Sequence, residues 1–254
     1  MTPFVKLLIF NLIALSIVTG LLFLAKKIIK NDKTKDRVLK CVSILVVIIH
    51  YSSIYVEFFK NQGVARAFDI YILPIYPCHI FMWLLVIVAF IRNKETTFYK
   101  GLADFTFIGG TAAGLIGTLF NMNFLNADVP SFLNYDLLKG LLSHIVMVFG
   151  TLYLFVFNYV KLEVVRSTIS VAIGLIGFSI IGVIINTLFK IFNIPSVNAM
   201  FMLEPPFKEY PFINFLTIGI LGLVITFVGL LIYEHFTLPK EERWVTKMKL
   251  ERKR

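Results

Sequence analysis

Apolar runs about twenty residues long, separated by short polar stretches, recur from one end of the chain to the other. They fall approximately at residues 4–25, 38–59, 70–91, 99–120, 137–157, 168–189 and 212–234. Each holds about 21 to 23 residues, which as a helix spans roughly 30 to 35 Å, enough for the hydrocarbon core of a bilayer. The pattern predicts an all-α, polytopic membrane helix bundle of about seven transmembrane helices. No stretch remains for a soluble domain, so residues 1–254 are expected to form a single integral membrane domain with a basic tail from about 238. The first run is too long for a signal-peptide core and its positive charge follows it, so it is expected to be retained as the first span.

Composition agrees. Of 254 residues 58% are hydrophobic and only 16% charged, with mean hydropathy +0.83. A soluble domain carries charge on about a quarter of its residues. The net charge of +10 suggests nucleic acid until it is located. Lys26, Lys27, Lys30, Lys33, Lys35 and Arg37 share the first loop, while Arg243, Lys247, Lys249, Arg252, Lys253 and Arg254 share the tail. Basic clusters beside membrane spans set orientation and meet anionic lipid headgroups. Anionic headgroups are therefore the expected partners of these loops, and nucleic acid is not. Arg92, Lys94, Lys161 and Arg166 add to the odd-numbered loops, whereas the fourth loop, residues 121–136, has no Lys or Arg. The asymmetry predicts an outside N-terminus and a cytoplasmic C-terminus in the cell membrane.

Small residues mark where helices approach closely. Gly110 and Gly114 stand at GxxxG spacing in the fourth span, with Ala113 and Gly117 in the same pattern, and Ser170, Gly174, Gly177 and Gly182 lie on the sixth. Such stripes are read as packing faces, with a gap for a lipid chain as the functional alternative. The chain shows no internal repeat of the kind that builds inverted-repeat transporters.

The topology also sets the depth of the polar residues. His50, Cys78 and His144 lie nine, eight and seven residues below the outer ends of their spans, in one layer roughly 10 to 14 Å beneath the outer boundary. Asn186 lies somewhat shallower. Cys41 is near the inner end of its span, too far to pair with Cys78, and the two cysteines form no CxxC motif. Ionisable groups inside a membrane usually face the bundle interior. A cysteine, two histidines and an asparagine in one layer make a nucleophile, a base and orienting groups, the components of acyl chemistry. His79 is adjacent to Cys78, but successive helical residues point about 100° apart, so His144 is the better base. His50 is the second choice, or a group that binds the carbonyl or headgroup.

The stretch "DIYILPIYPCHIFMW" admits two readings. A helix beginning only at Pro77 would put Cys78 and His79 among unpaired N–H groups at a positive dipole end, favouring a thiolate and supplying an oxyanion hole. It would also be too short to span alone. A continuous helix capped by Asp69 would be kinked at Pro74 and Pro77 and would offer free carbonyls instead. The outer sixth loop, rich in proline and aromatic residues, would cover the pocket or anchor at the interface.

These residues bring a resemblance. "LPIYPCH" (Leu73 to His79), "SH" at Ser143 and His144, Asn186, and the loop "NAMFMLEPP" resemble, in order and spacing, the YwaF-like integral membrane proteins and the transmembrane protein 164 family. The resemblance implies a multi-span lipid acyltransferase whose cysteine carries an acyl group between phospholipids. Cys78 takes the cysteine position and His144 the membrane histidine position, with His50, His79, Asn186 and Asn198 as supporting or substrate-binding groups. Membrane phospholipids would be the partners, and no cofactor or metal is called for. Ala199 stands where the family has tyrosine, and Pro205 and Pro206 replace a more basic stretch, which touches substrate preference rather than the Cys and His positions. Three alternatives use the same residues: a lipid hydrolase, a small-solute or proton transporter, and a metal site built from His50, Cys78, His79 and His144. A non-catalytic scaffold would need none of them.

Overall fold

The computed structural model describes residues 2–60, 74–194, 198–206 and 210–251, the side chains of 53–60 and 251 excepted. It is all-helical, with no strand among the described residues. The elements are α1 (Pro3–Ile28), α2 (Asp32–Lys60), α3 (Pro77–Phe90), α4 (Thr97–Leu119), α5 (Met122–Leu125), α6 (Tyr135–Val156), α7 (Val164–Ile191), α8 (Phe215–Thr237) and α9 (Trp244–Glu251), with 3-10 turns at Ala199–Phe201 and Lys240–Glu242. Among the described residues five stretches are long and apolar enough to cross a membrane: Pro3–Ile28, Thr97–Leu125, Tyr135–Val156, Val164–Ile191 and Phe215–Thr237. Their helices begin and end within four residues of the expected first, fourth, fifth, sixth and seventh spans. The second expected span lies within the 29-residue α2.

The third differs. Residues 70–73 of the expected span at 70–91 lie outside the described residues, and the helix runs only from Pro77 to Phe90. Tyr76 is extended, with φ −106° and ψ 154°. A residue before proline is pushed to that region, and proline at the first helical position loses no bond, because its N–H would be unpaired there anyway. Of the two readings of this stretch, the structure has the helix start at Pro77.

The chain forms two compact units, residues 1–160 and 161–254. In the first, α6 is the hub: α4, α2 and α1 all pack on it, and α3 packs on α4 and α2. α4 and α6 approach through small residues. A Cβ at Gly110 would sit 2.8 Å from Thr151 Cγ2, and one at Gly114 would sit 2.5 Å from Val148 Cγ2 and 3.3 Å from the His144 carbonyl oxygen. Beside this seam Thr111 donates to Thr151 Oγ1 at 2.9 Å. On α1, Asn11 is buried and donates to the carbonyl of Thr118 at 3.1 Å, tying α1 to α4.

The two ends of this unit are closed differently. At one end the fourth loop folds over a cluster of Leu7, Phe124, Leu137 and Leu141, and Phe132 stacks on both Phe10 and Phe124. Lys6 donates to the Pro130 carbonyl at the same end. At the other, Asp36 accepts at 2.5 Å from both Lys94 Nζ and the Tyr159 hydroxyl, and Lys94 lies 4.3 Å from the centre of the Tyr159 ring. Asp36 and Tyr159 lie just outside the expected spans. Burial opposes the Asp36 charge, but the hydrogen bonds from Lys94 and Tyr159 and the charges of Lys94 and Lys40 outweigh it and hold the carboxyl below its ordinary range. Burial and the same carboxylate push the Tyr159 phenol up.

In the second unit α7 and α8 pack together, and a buried Glu234 on α8 accepts from two helix starts, Val164 N–H of α7 at 3.4 Å and Trp244 N–H of α9 at 2.8 Å. A carboxylate facing two positive helix ends is held without a cationic side chain. The loop before α8 lies against α7: Asn186 donates to the Ala199 carbonyl at 3.3 Å and accepts from the Ala199 N–H at 3.0 Å. A Cβ at Gly182 would lie 2.4 Å from Met202 Sδ.

Three outcomes are expected. Asp36→Asn destabilises the protein at pH 7 by about 1 kcal/mol, modest because the Asp36 side chain is 40% exposed. Its folded pKa lies below the unfolded one near ~3.9, so its contribution is full above that value and is lost as pH falls through the folded pKa. Thermal melts of wild type and variant should therefore differ at pH 7 and draw together as the pH falls below the ordinary carboxylate range. Gly114→Ala should cost about 1 to 3 kcal/mol by overpacking the seam. Gly20→Ala, whose new methyl would meet nothing within 4 Å, should leave the melt unchanged or raise it.

Candidate functional site

Cys78 is the second residue of α3, half-buried, in the turn that Pro77 opens. Backbone amides in a first helical turn have no carbonyl one turn back. Those of Cys78 and His79 are turned to the Cys78 sulfur, and the His79 amide also reaches the Tyr76 carbonyl at 3.0 Å. The thiol thus sits at the positive end of a short helix.

His144 projects from α6 into the seam with α4. Its Nδ1 lies 2.7 Å from the Gly140 carbonyl oxygen, one turn back. A carbonyl only accepts, so Nδ1 carries the proton and donates, and the lone pair is left on Nε2. The ring lies over Gly117: a Cβ there would be 2.3 Å from Cδ2 and 2.4 Å from Nε2. Gly117 therefore makes room for the imidazole itself, which the stripe of small residues did not reveal. Ser143 beside it is fully buried and donates to the same Gly140 carbonyl at 2.9 Å.

His50 and His79 face each other across α2 and α3, with ring centres 4.4 Å apart. His79 is buried and also meets the Tyr76 ring edge-on at 5.4 Å. His50 packs against Tyr51 at 4.8 Å, and the Tyr51 hydroxyl accepts from Trp83 Nε1 at 3.2 Å. His144 lies within electrostatic reach of His50. The structure thus pairs His50 with His79 at the start of α3, while His144 stands in the seam of α4 and α6. Cys78 makes no side-chain hydrogen bond to a histidine among the described residues. Nor do any three His, Cys, Asp or Glu side chains among them group closely enough to hold a metal ion.

Asn186 and Asn198 belong to the second unit. Both polar atoms of Asn186 are engaged by the backbone of Ala199. Asn198 Oδ1 accepts from the amides of Leu203 and Glu204, and its Nδ2 donates to the Glu204 carbonyl at 2.6 Å. The two amides shape the loop "NAMFMLEPP", where Met200 and Phe201 both have φ of 56°. Cys41 is exposed on α2, in the half of the helix that precedes His50.

Three groups escaped the sequence reading. Asp36 was hidden among the lysines of the first loop. Glu234 sat at the end of an apolar run. Asp104 lies inside the fourth span and is 1% exposed on α4, a buried membrane carboxylate that the residue count alone could have flagged.

The arrangement offers a thiol at a positive helix end, an imidazole with its tautomer set by a backbone carbonyl, and the imidazole pair of His50 and His79. A model of the TMEM164 family matches residues 3–233. No curated protein and no solved structure gives a significant match. Nearly the whole chain lies under that one family model and carries its own membrane-length apolar helices, so the protein is a multi-pass membrane protein belonging to the TMEM164 family.

Proposed function

We propose that the protein is a membrane-embedded acyltransferase that moves a fatty acyl chain between phospholipids or lysolipids through a thioester on Cys78, with His144 as base. It takes the seven-crossing arrangement with the N-terminus outside. The observation that carries the reading is the helix start at Pro77, with Cys78 in its first turn. A positive helix end favours the negative charge that sulfur carries when it attacks. The set tautomer of His144, which leaves Nε2 able to accept a proton, supports its role as base.

The chemistry balances without a cofactor. The Cys78 proton passes to His144 Nε2 and the thiolate attacks the ester carbonyl of the donor lipid. The C–O bond breaks, the departing alkoxide takes the proton from the imidazolium, and a lysolipid leaves. An acceptor hydroxyl then gives its proton to His144 and attacks the thioester; the C–S bond breaks and the thiolate is reprotonated. His50 and His79 would hold the headgroup or carbonyl. Asn186 and Asn198 would act by shaping the loop that meets the lipid.

Intact-mass spectrometry of the purified protein after incubation with phospholipid tests this. A hydroxylamine-sensitive acyl adduct is expected on wild type and is expected to be missing from Cys78→Ala. No adduct on wild type, even after rapid acid quench, would overturn the thioester. Product analysis assigns the acceptor: acylated lysolipid marks transfer and free fatty acid marks hydrolysis. Gly117→Ala puts a methyl where the His144 ring lies, so adduct formation should slow at least ten-fold in a protein that still melts cooperatively. An unchanged rate would remove His144 from the role of base.

A further inference from the structure

Where α8 ends, the chain turns through the 3-10 segment Lys240–Glu242 and folds back as α9, held by the Trp244 N–H on Glu234 and by Trp244 edge-on to Phe227 at 5.6 Å. Between them lies a cavity of about 350 Å³ lined by Leu231, Ile232, Glu234, His235, Lys240, Arg243, Val245 and Thr246. That volume lies in the range of small-molecule sites. Its lining is mixed. Leu231, Ile232 and Val245 supply apolar lining, and Lys240, Arg243, His235 and Thr246 supply donors.

The charge is cationic in effect. Both oxygens of Glu234 are already met by backbone N–H groups of Val164 and Trp244. Glu241 and Glu242 do not line the cavity. Arg243 is braced, its Nε donating to the Leu238 carbonyl at 3.0 Å and its Nη1 to His235 Nδ1 at 3.2 Å. That second bond leaves the His235 proton on Nε2, a further donor. Among the described residues no carboxylate pairs with Lys240 or Arg243.

The apolar lining continues a lipid-facing stripe. Leu221, Ile225, Val228, Ile232 and Phe236 follow one another at steps of three and four along α8, and Leu221, Ile225, Ile232 and Phe236 are each more than half exposed. A ligand suited to this place has a phosphate beside Arg243 and Lys240 and an apolar chain running along Ile232 toward Ile225. We propose that this cavity binds the headgroup of one anionic, phosphate-bearing membrane phospholipid, whose acyl chain lies on the exposed stripe of α8. Arg243 fits a phosphate with its planar fork, and Lys240 adds a point charge. The site is independent of the proposed chemistry at Cys78.

Native mass spectrometry of the full-length protein, titrated with phosphatidylglycerol or phosphatidylcholine, tests it. One phosphatidylglycerol should bind with at least ten-fold preference over phosphatidylcholine, and the double variant Lys240→Gln, Arg243→Gln should lose that preference. Lys190→Gln, which removes an exposed positive charge elsewhere, should keep it. The single variant Lys240→Gln changes an exposed residue, so it serves where the double variant melts abnormally, and it should weaken binding several-fold. Equal binding of the two lipids, retained preference in the Lys240 and Arg243 variants, or loss of preference in the Lys190 variant would overturn the site. Competition by millimolar inorganic phosphate as effective as that by the lipid would also overturn it, by showing a free-anion site instead.

Discussion

The close approach of α4 to α6 is the constraint on which the rest of the first unit depends. Three glycines of α4 meet α6 in succession: Gly110 at Thr151, Gly114 at Val148, and Gly117 at the His144 ring. In a membrane the lipid is as apolar as the helices, so such contact rests on packing and local hydrogen bonds rather than on water exclusion. The seam sets where His144 can stand. Its ring has one wall of glycine and one hydrogen bond, to Gly140, and these fix both position and tautomer. α3 follows from the same arrangement. Phe81 crosses the α4 surface at Gly109, where a Cβ would lie 2.1 Å from its ring, and Leu85 meets Gly150 of α6. Cys78 and His79 therefore begin a helix that is keyed to the two glycine faces further along its length.

Much of this was legible because membrane helices advertise themselves. Five apolar runs became five helices, since the length needed to cross hydrocarbon and the need to pair every backbone group leave few alternatives. The GxxxG spacing at Gly110 and Gly114 was legible as a packing face, but the partner of Gly117 was not, because a glycine signals close approach without naming what approaches. The start at Pro77 could not be decided from residues 69–83. Proline is tolerated at the first turn and, with a kink, inside a membrane helix, so local chemistry permits both. The asparagines show the same limit. Asn186 and Asn198 had to find partners in an apolar setting, and polarity alone did not say that the partners would be loop amides of Ala199, Leu203 and Glu204.

Charges at the helix ends follow one rule in two forms. Asp36 is stabilised by a lysine and a phenol brought from distant points of the chain, Lys94 and Tyr159. Glu234 accepts from backbone N–H groups at the starts of α7 and α9. Neither could be read as a pair along the sequence. In both cases the carboxylate joins segments that the helices would otherwise leave apart, and in both its charge is compensated locally.

The length of α3 bears on what chemistry the proposed thiol would favour. Fourteen residues give about 21 Å of helix, against roughly 30 Å of hydrocarbon. In the proposed seven-crossing arrangement, with Phe90 at one boundary, Cys78 twelve residues away would stand about 18 Å in, and so about 12 Å short of the other boundary. That is the layer in which His50 and His144 also fall by their own counts. Bulk water is scarce at such a depth, whereas acyl chains and the hydroxyl of a lysolipid arrive laterally from the bilayer. A thioester formed there would be shielded from hydrolysis and exposed to lipid acceptors, which favours transfer over release of free fatty acid. A full-length helix through residues 70–91 would have given the thiol the same depth, but with its amides already bonded within the helix. The short helix places a half-buried thiol in its first turn, at a positive helix end, and that combination separates the start of α3 from an ordinary kinked span.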